Sequence, residues 1–228
     1  MTRGYFVTGT DTGVGKTLVT AALLRRLREA GVTVAGMKPV AAGAIAGPEG
    51  CANADALLLQ AESSARHPYA VVNPCLFEPA IAPHIAAAEA GLVIDTDRIA
   101  AAFHALCASA DVVLAEGAGG FLVPLDARRS CAGLPGLLGM EVLLVIGLRL
   151  GCLNHALLTV EAVAARDLTL AGWIGNCIDP AFARRDENIG TLMDAIDAPC
   201  LGIVPWLADP TVSAAAAALA GAAILNRR

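Results

Sequence analysis

The chain has 228 residues, of which 56% are hydrophobic and only 16% charged, with a formal net charge of −5 at pH 7. That balance leaves no basic footprint for nucleic acid, and the longest weakly polar run, residues 212–225, is dominated by Ala and falls short of the roughly 20 apolar residues that span a bilayer. The seven cysteines (Cys51, Cys75, Cys107, Cys131, Cys152, Cys177, Cys200) form no C-x-x-C pair, which argues against a zinc site or disulfide framework and for ordinary thiols in a reducing compartment. No charged n-region followed by an apolar h-region opens the chain, so a cytoplasmic protein is expected. A chain this apolar with so few charges is also expected to bury surface against a second copy of itself.

In chain order, residues 5–8 read as a short strand and 16–30 as a helix. Leu18, Ala22 and Leu23 share one face of that helix, Arg25, Arg26, Arg28 and Glu29 lie elsewhere, and Gly31 supplies its stop. Strands follow at 33–37, 111–115, 141–146, 169–175 and 199–204. Most are short and rich in Val, Leu and Ile, as parallel strands covered on both faces are. Helices fall at 55–62, 95–107, 154–166, 186–196 and 212–225. Residues 43–50 and 126–139 read as loops, and 71–84, with Pro74, Pro79 and Pro83, as irregular chain. The alternation predicts one α/β domain over residues 1–228, a mostly parallel sheet with helices on both faces and its ligand crevice at the carboxyl ends of the strands.

The strongest local signal is Gly9-Thr10-Asp11-Thr12-Gly13-Val14-Gly15-Lys16-Thr17, after a strand and opening a helix, which is the context of a P-loop. Glycines let backbone N–H groups turn toward phosphate oxygens, and the helix N-terminus adds a positive dipole end. Lys16 is placed to reach the β- and γ-phosphates of ATP and Thr17 to coordinate Mg²⁺. Five residues rather than the usual four separate Gly9 from Gly15. Lys38 ends the second strand, held extended by Pro39, where a side chain meets the crevice. Glu116 follows an apolar strand and precedes Gly117-Ala118-Gly119-Gly120, a Walker-B-like arrangement that brings a carboxylate to Mg²⁺. Asp55 stands at a helix start, where capping alone accounts for it. Asn176 can pair with an adenine edge or simply serve a turn. Trp206 fits either a core or a base-stacking wall, and the lone His84 and His155 fit structural roles.

Taken together, these motifs resemble dethiobiotin synthetase. The resemblance is carried by residues 5–12 and 14–17, Lys38-Pro39-Val40-Ala41, Asn53 with Asp55-Ala56-Leu57, Val72-Asn73-Pro74, Pro83-His84-Ile85 and residues 116–120. It continues through Leu150-Gly151-Cys152-Leu153-Asn154-His155-Ala156, Leu170-Ala171-Gly172-Trp173, Asn176 and Pro205-Trp206-Leu207, spanning about residues 5–208. It implies an ATP-dependent ligase joining 7,8-diaminopelargonic acid and CO₂ into dethiobiotin, through a carbamate and a carbamic–phosphoric mixed anhydride. It also implies Thr17, Asp55 and Glu116 as Mg²⁺ ligands, which reverses the capping reading of Asp55. Lys38, Lys16 and Thr12 become the catalytic set. The nucleotide set becomes Gly13, Val14, Gly15, Lys16, Thr17, Leu18, Asp55, Glu116, Gly117, Ala118, Gly119, Asn176, Cys177, Pro205, Trp206 and Leu207. Substrate would meet Thr12, Lys38 and Ala42, and its carboxylate would meet Gly151, Cys152, Leu153 and Asn154 of a homodimer partner.

The chain departs from the family pattern at Gly13, where Glu is frequent, at Ala42, where Ser is common, and around Gly133, where Ser130-Cys131-Ala132-Gly133 replaces a T-x-A-D-like stretch. Two other readings of the P-loop differ in what else they need. An amidase-type synthetase would want a glutaminase half with a Cys nucleophile. A nucleotide switch of the partition-ATPase type would want a basic face, and only Arg227 and Arg228 follow the last helix.

Overall fold

A computed structural model describes residues 2–47 and 50–220. Its strands are β1 Arg3–Gly9, β2 Val34–Met37, β3 Val40–Ala42, β4 Ile45–Gly47, β5 Gly50–Ala52, β6 Cys75–Phe77, β7 Val112–Gly120, β8 Glu141–Leu148, β9 Leu170–Cys177 and β10 Cys200–Val204. Its helices are α1 Lys16–Glu29, α2 Ala54–Glu62, α3 Tyr69–Val72, α4 Pro83–Glu89, α5 Thr96–Cys107, α6 Leu134–Leu138, α7 Cys152–Ala164, α8 Arg185–Ala195 and α9 Val212–Ala218. Six strands form one parallel sheet in the order β10-β9-β8-β1-β7-β2.

Alternation along each strand divides the core between two faces. Tyr5 and Val7 join Leu114, Leu143 and Val145 against α1, α2 and α9. Phe6, Val113 and Ala115 point the other way, against α4, α5 and α6, while Leu144, Ile146 and Trp173 pack on α7 and α8. Both faces are dry, which explains why these strands are continuous in apolar residues. The chain order reverses between β1 and its two neighbours, β7 and β8. The crevice outside their carboxyl ends is where such a sheet binds ligand. Among the described residues, no helix is long and apolar enough to cross a membrane.

Several local expectations need correction. Residues 43–50 are not simply a loop, because β4 pairs antiparallel with β5 in a small hairpin. Within 71–84, β6 pairs in parallel with β3, and Pro83 starts α4 at a position where a missing N–H costs nothing. Within 126–139, a 3-10 turn at Cys131–Gly133 runs into α6. Helix α7 begins two residues before the expected 154, because Gly151 at φ 93° releases the turn into it. Strand β7 continues through Glu116 to Gly120 instead of ending at 115. The expected helix at 212–225 is described only to Ala218, and its last part lies outside the described residues.

Candidate active site

Strand β1 delivers the P-loop to the middle of the sheet, and α1 starts at Lys16 directly after Gly15. Gly15 has a φ of +83°, and a Cβ there would lie 2.1 Å from Asn176 Nδ2, so only glycine fits. Gly13 is also left-handed, at φ +76°, yet a Cβ there meets nothing within 4 Å. The departure from Glu at this position therefore relaxes the backbone and opens no packing defect. Lys16 is buried, and its Nζ donates to the Asp11 carbonyl at 2.9 Å. Burial, helped by nearby Lys38, holds the Lys16 pKa below that of a free lysine; Glu116, Asp55 and Asp11 oppose this.

Lys38, one residue past β2, is the centre of the site. Its Nζ donates to Glu116 Oε1 at 2.5 Å and to Asp55 Oδ2 at 2.8 Å, and the Thr17 hydroxyl donates to the same Glu116 oxygen at 2.8 Å. The Glu116 side chain is fully buried, whereas that of Asp55 is 42% exposed. Burial alone would lower the Lys38 pKa. The two carboxylates outweigh it and hold the ammonium above the ordinary lysine range. Burial likewise works to raise Asp55, and the pairing with Lys38 overrides it, leaving this carboxyl below its usual value. Asp55 is free for this pairing because Asn53 carries the helix cap, its Oδ1 accepting from the N–H groups of Asp55 and Ala56 at 3.1 and 3.3 Å.

The second oxygen of Glu116, Oε2, is buried with no hydrogen-bond partner among the described residues. An orphaned buried acceptor beside a hydroxyl and a second carboxylate is a hard-oxygen donor set. It fits a small divalent cation that completes its shell with phosphate and water. No group of three or more His, Cys, Asp or Glu side chains among the described residues could hold a metal by themselves.

Three cavities bear on the expected ligands, and the first opens on the cluster itself. One of about 480 Å³ is lined by Thr12, Lys38, Ala42, Asn53, Asp55 and Val123, together with Ala80–Pro83, Ala118 and Gly119. Its far wall is apolar and its near wall carries the Lys38–Asp55 pair, so it suits an aliphatic chain with a polar reacting end. A second, also of about 480 Å³, shares Thr12 and Val123 with the first and continues past Leu122, His155 and Leu158. The third, about 390 Å³, is lined by Cys177, Asp179, Phe182, Arg184, Arg185 and Trp206.

The structure thus brings together Thr12, Lys16, Thr17, Lys38, Asp55 and Glu116. Trp206 is 47% exposed and lines a cavity with Cys177, which favours a wall over a core role. Asn176 is buried at the end of β9, where its Nδ2 donates to the Val14 carbonyl at 2.9 Å. That donor is therefore committed to holding the P-loop. Residues 151–154 do not line the Lys38 cavity of their own chain; they open α7 beside the second cavity. His84 lies outside these cavities, its buried Nδ1 without a hydrogen-bond partner among the described residues.

Arg149 belongs to none of the sequence motifs. Its guanidinium meets Asp11 Oδ2 at 2.7 Å and joins the P-loop to the turn before α7. A basic residue at the end of a parallel strand was the available signal, the same one that marks Lys38.

A strand–loop–helix phosphate cradle, a buried lysine between two carboxylates and an adjoining apolar cavity define a P-loop nucleotide-dependent enzyme. The family model described as an AAA domain matches residues 3–213. An ATP-dependent dethiobiotin synthetase of Aromatoleum aromaticum is 55% identical over 96% of this chain and 98% of its own length. One from Pseudomonas paraeruginosa is 51% identical over 94% and 95%. The chain belongs to the ATP-dependent dethiobiotin synthetase family. Solved structures with the same fold include the MinC:MinD cell division complex of Aquifex aeolicus, with a TM-score of 0.63 at 17% identity over 99% of this chain and 96% of that one. A ParA family ATPase from Chlorobium tepidum has a TM-score of 0.56 at 14% identity, covering 100% of this chain and 95% of that one. At these identities the likeness is one of fold.

Proposed function

We infer that this chain is an ATP-dependent dethiobiotin synthetase, a ligase that closes the ureido ring of dethiobiotin from 7,8-diaminopelargonic acid, CO₂ and ATP in biotin biosynthesis. Supporting this is a lysine–dicarboxylate cluster set between a P-loop and an apolar cavity, in a chain 55% identical to such an enzyme along almost its whole length. Neither a partition-type switch nor an amidase needs that cavity to hold an aliphatic diamine.

One substrate amine takes up CO₂ as a carbamate in the cavity beside Lys38. The carbamate oxygen attacks the γ-phosphorus, ADP leaves, and a carbamic–phosphoric anhydride results. The second amine then attacks the anhydride carbon, the five-membered urea closes and phosphate departs. Two anions meet in the first transfer, so positive charge decides the barrier. Lys38 supplies it on the carbamate side. Lys16 supplies it on the phosphate side once its contact with the Asp11 carbonyl gives way to phosphate oxygens. Ring closure is intramolecular, so a cavity that holds both amines in place gains effective molarity. Thr12 stands at the junction of two cavities, where the diamine end and the chain would meet.

Thr17, Asp55 and Glu116 would hold Mg²⁺, which would neutralise charge on the β- and γ-phosphates. Gly13 to Leu18 and Gly117 to Gly119 would wrap the phosphates. The base would lie against Cys177 and Pro205–Leu207, with Asn176 behind the loop.

We further propose a cytoplasmic homodimer with shared sites. Leu122 and Leu158 line the second cavity and stand exposed, and Leu150, in the turn before α7, is 88% exposed. A two-fold partner covering these leucines would bring residues 151–154 of its own α7 to the open end of the substrate cavity. There helix N–H groups would meet the carboxylate.

The test is phosphate release from purified protein. Release that requires ATP, the diamine and bicarbonate together supports the reading. ATP turnover that ignores the diamine would point to a switch and contradict it.

A further inference from the structure

Lys38 and Asp55 come from different elements: one follows β2, the other opens α2. Their Nζ–Oδ2 distance of 2.8 Å depends on how those elements are joined. A continuous chain of hydrogen bonds runs between them, behind the site. The Asn73 amide donates to the Lys38 carbonyl at 2.6 Å and to the Cys75 carbonyl at 3.2 Å. The Tyr69 hydroxyl donates to Asn73 Oδ1 at 3.0 Å and accepts from the Asn53 N–H at 2.7 Å. The Asn53 amide donates to the Ala42 carbonyl at 3.2 Å, while its oxygen caps the helix that carries Asp55. Asn53 and Asn73 are both buried, and none of these side chains lines the cavity except Asn53.

We propose that Asn53, Tyr69 and Asn73 form a positioning relay that sets the Lys38–Asp55 separation and the Ala42 wall, with the Tyr69 hydroxyl as its central link. A satisfied network with two buried asparagines and a half-buried tyrosine between them fixes one arrangement, and opening one link frees both ends. Tyr69 touches neither Lys38 Nζ nor the Asp55 carboxylate; it acts only through the two asparagines. The proposal rests on the synthetase reading, because the diamine is the ligand whose placement it controls.

The hydroxyl can be removed without disturbing the ring, by Tyr69→Phe. Three quantities separate positioning from general structure: diamine affinity by calorimetry without metal or nucleotide, ATP affinity, and kcat. Groups that orient a site from behind typically contribute about 10-fold to 100-fold. We expect Tyr69→Phe to lower kcat and weaken diamine binding by roughly tenfold, with ATP affinity measured without Mg²⁺ unchanged and a melting temperature lowered by less than about 4 °C. Asn73→Ser, which keeps a short donor but cannot span both carbonyls, should weaken the same two quantities. Diamine affinity and kcat within twofold of wild type in Tyr69→Phe would overturn the relay. So would an equal loss of metal-free ATP affinity, or loss that merely follows unfolding. Failure of the underlying reading looks different: the unaltered protein would then bind no diamine at all.

Discussion

Replacing Lys38 by Ala separates the two things this residue does. Its side chain is 6% exposed and that of Glu116 is fully buried, so the pair sits away from water. Removing one partner of a buried ion pair leaves the other charge uncompensated and typically costs about 3–5 kcal/mol. Asp55 is 42% exposed, and its own contact with Lys38 contributes little to stability beside that. Taking roughly 3 kcal/mol for a chain of this size, the melting temperature of metal-free Lys38→Ala should fall by about 6–12 °C. Lys38→Met combined with Glu116→Gln removes both charges and should recover most of that loss. Catalysis should not recover, because the positive charge facing the carbamate is gone, and kcat should remain down by about a hundredfold or more. Differential scanning fluorimetry gives the first quantity and coupled phosphate release the second. ATP affinity should survive in Lys38→Ala, since Lys16, Glu116 and the loop are untouched. An unchanged melting temperature in Lys38→Ala, or loss of ATP binding with diamine binding spared, would refute this reasoning.

Gly15→Ala places a methyl 2.1 Å from Asn176 Nδ2 at a φ of +83°, so ATP binding should fall below detection in a titration while the fold survives by circular dichroism. Asp55→Asn should raise the Mg²⁺ concentration for half activity, and an unchanged Mg²⁺ titration would remove Asp55 from the ligand set. Asp126 accepts from the Arg128 and Arg129 N–H groups at 2.8 and 2.7 Å and from the Arg129 side chain, which holds its carboxyl at about 2 instead of 3.8. A folded pKa below the unfolded one contributes stability above about pH 4 that is lost as pH falls through about 2. Arg129→Ala should therefore move the Asp126 carboxyl resonance midpoint back up, and an unmoved midpoint would exclude the contact. For the shared site, Lys38→Ala and Asn154→Ala chains, each nearly inactive, should regain roughly a quarter of wild-type activity when unfolded and refolded together. No regain would place both residues in one subunit's site.

The parts of the site legible in the sequence are those whose chemistry is local. The P-loop could be read because glycine, lysine and threonine act within one turn between a strand and a helix. Lys38 and Glu116 were visible as charges at the ends of apolar runs. The β4–β5 hairpin was not, since Ile45-Ala46-Gly47 and Gly50-Cys51-Ala52 show no alternation and carry a single β-branched residue, Ile45. Asp55 was ambiguous because a carboxylate in the first turn also suits the dipole; only the geometry shows Asn53 taking the cap. The Arg149–Asp11 pair and the relay from Asn53 to Asn73 were hidden for another reason. The first pair lies 138 residues apart, and the relay's longest link, from Asn73 to the Lys38 carbonyl, spans 35, so both close only once the strands are stacked. Sheet order is likewise a property of packing: no periodicity tells that β1 lies between β7 and β8.

The most direct measurement of the central claim follows the carbon itself. Protein, ATP, Mg²⁺, the diamine and carbon-13 bicarbonate are incubated, and the product is read by mass spectrometry and carbon NMR. The expected result is dethiobiotin with the label in the ureido carbonyl, formed in step with ADP. ADP formed with no labelled urea, or labelled product that appears equally when ATP is omitted, would contradict it.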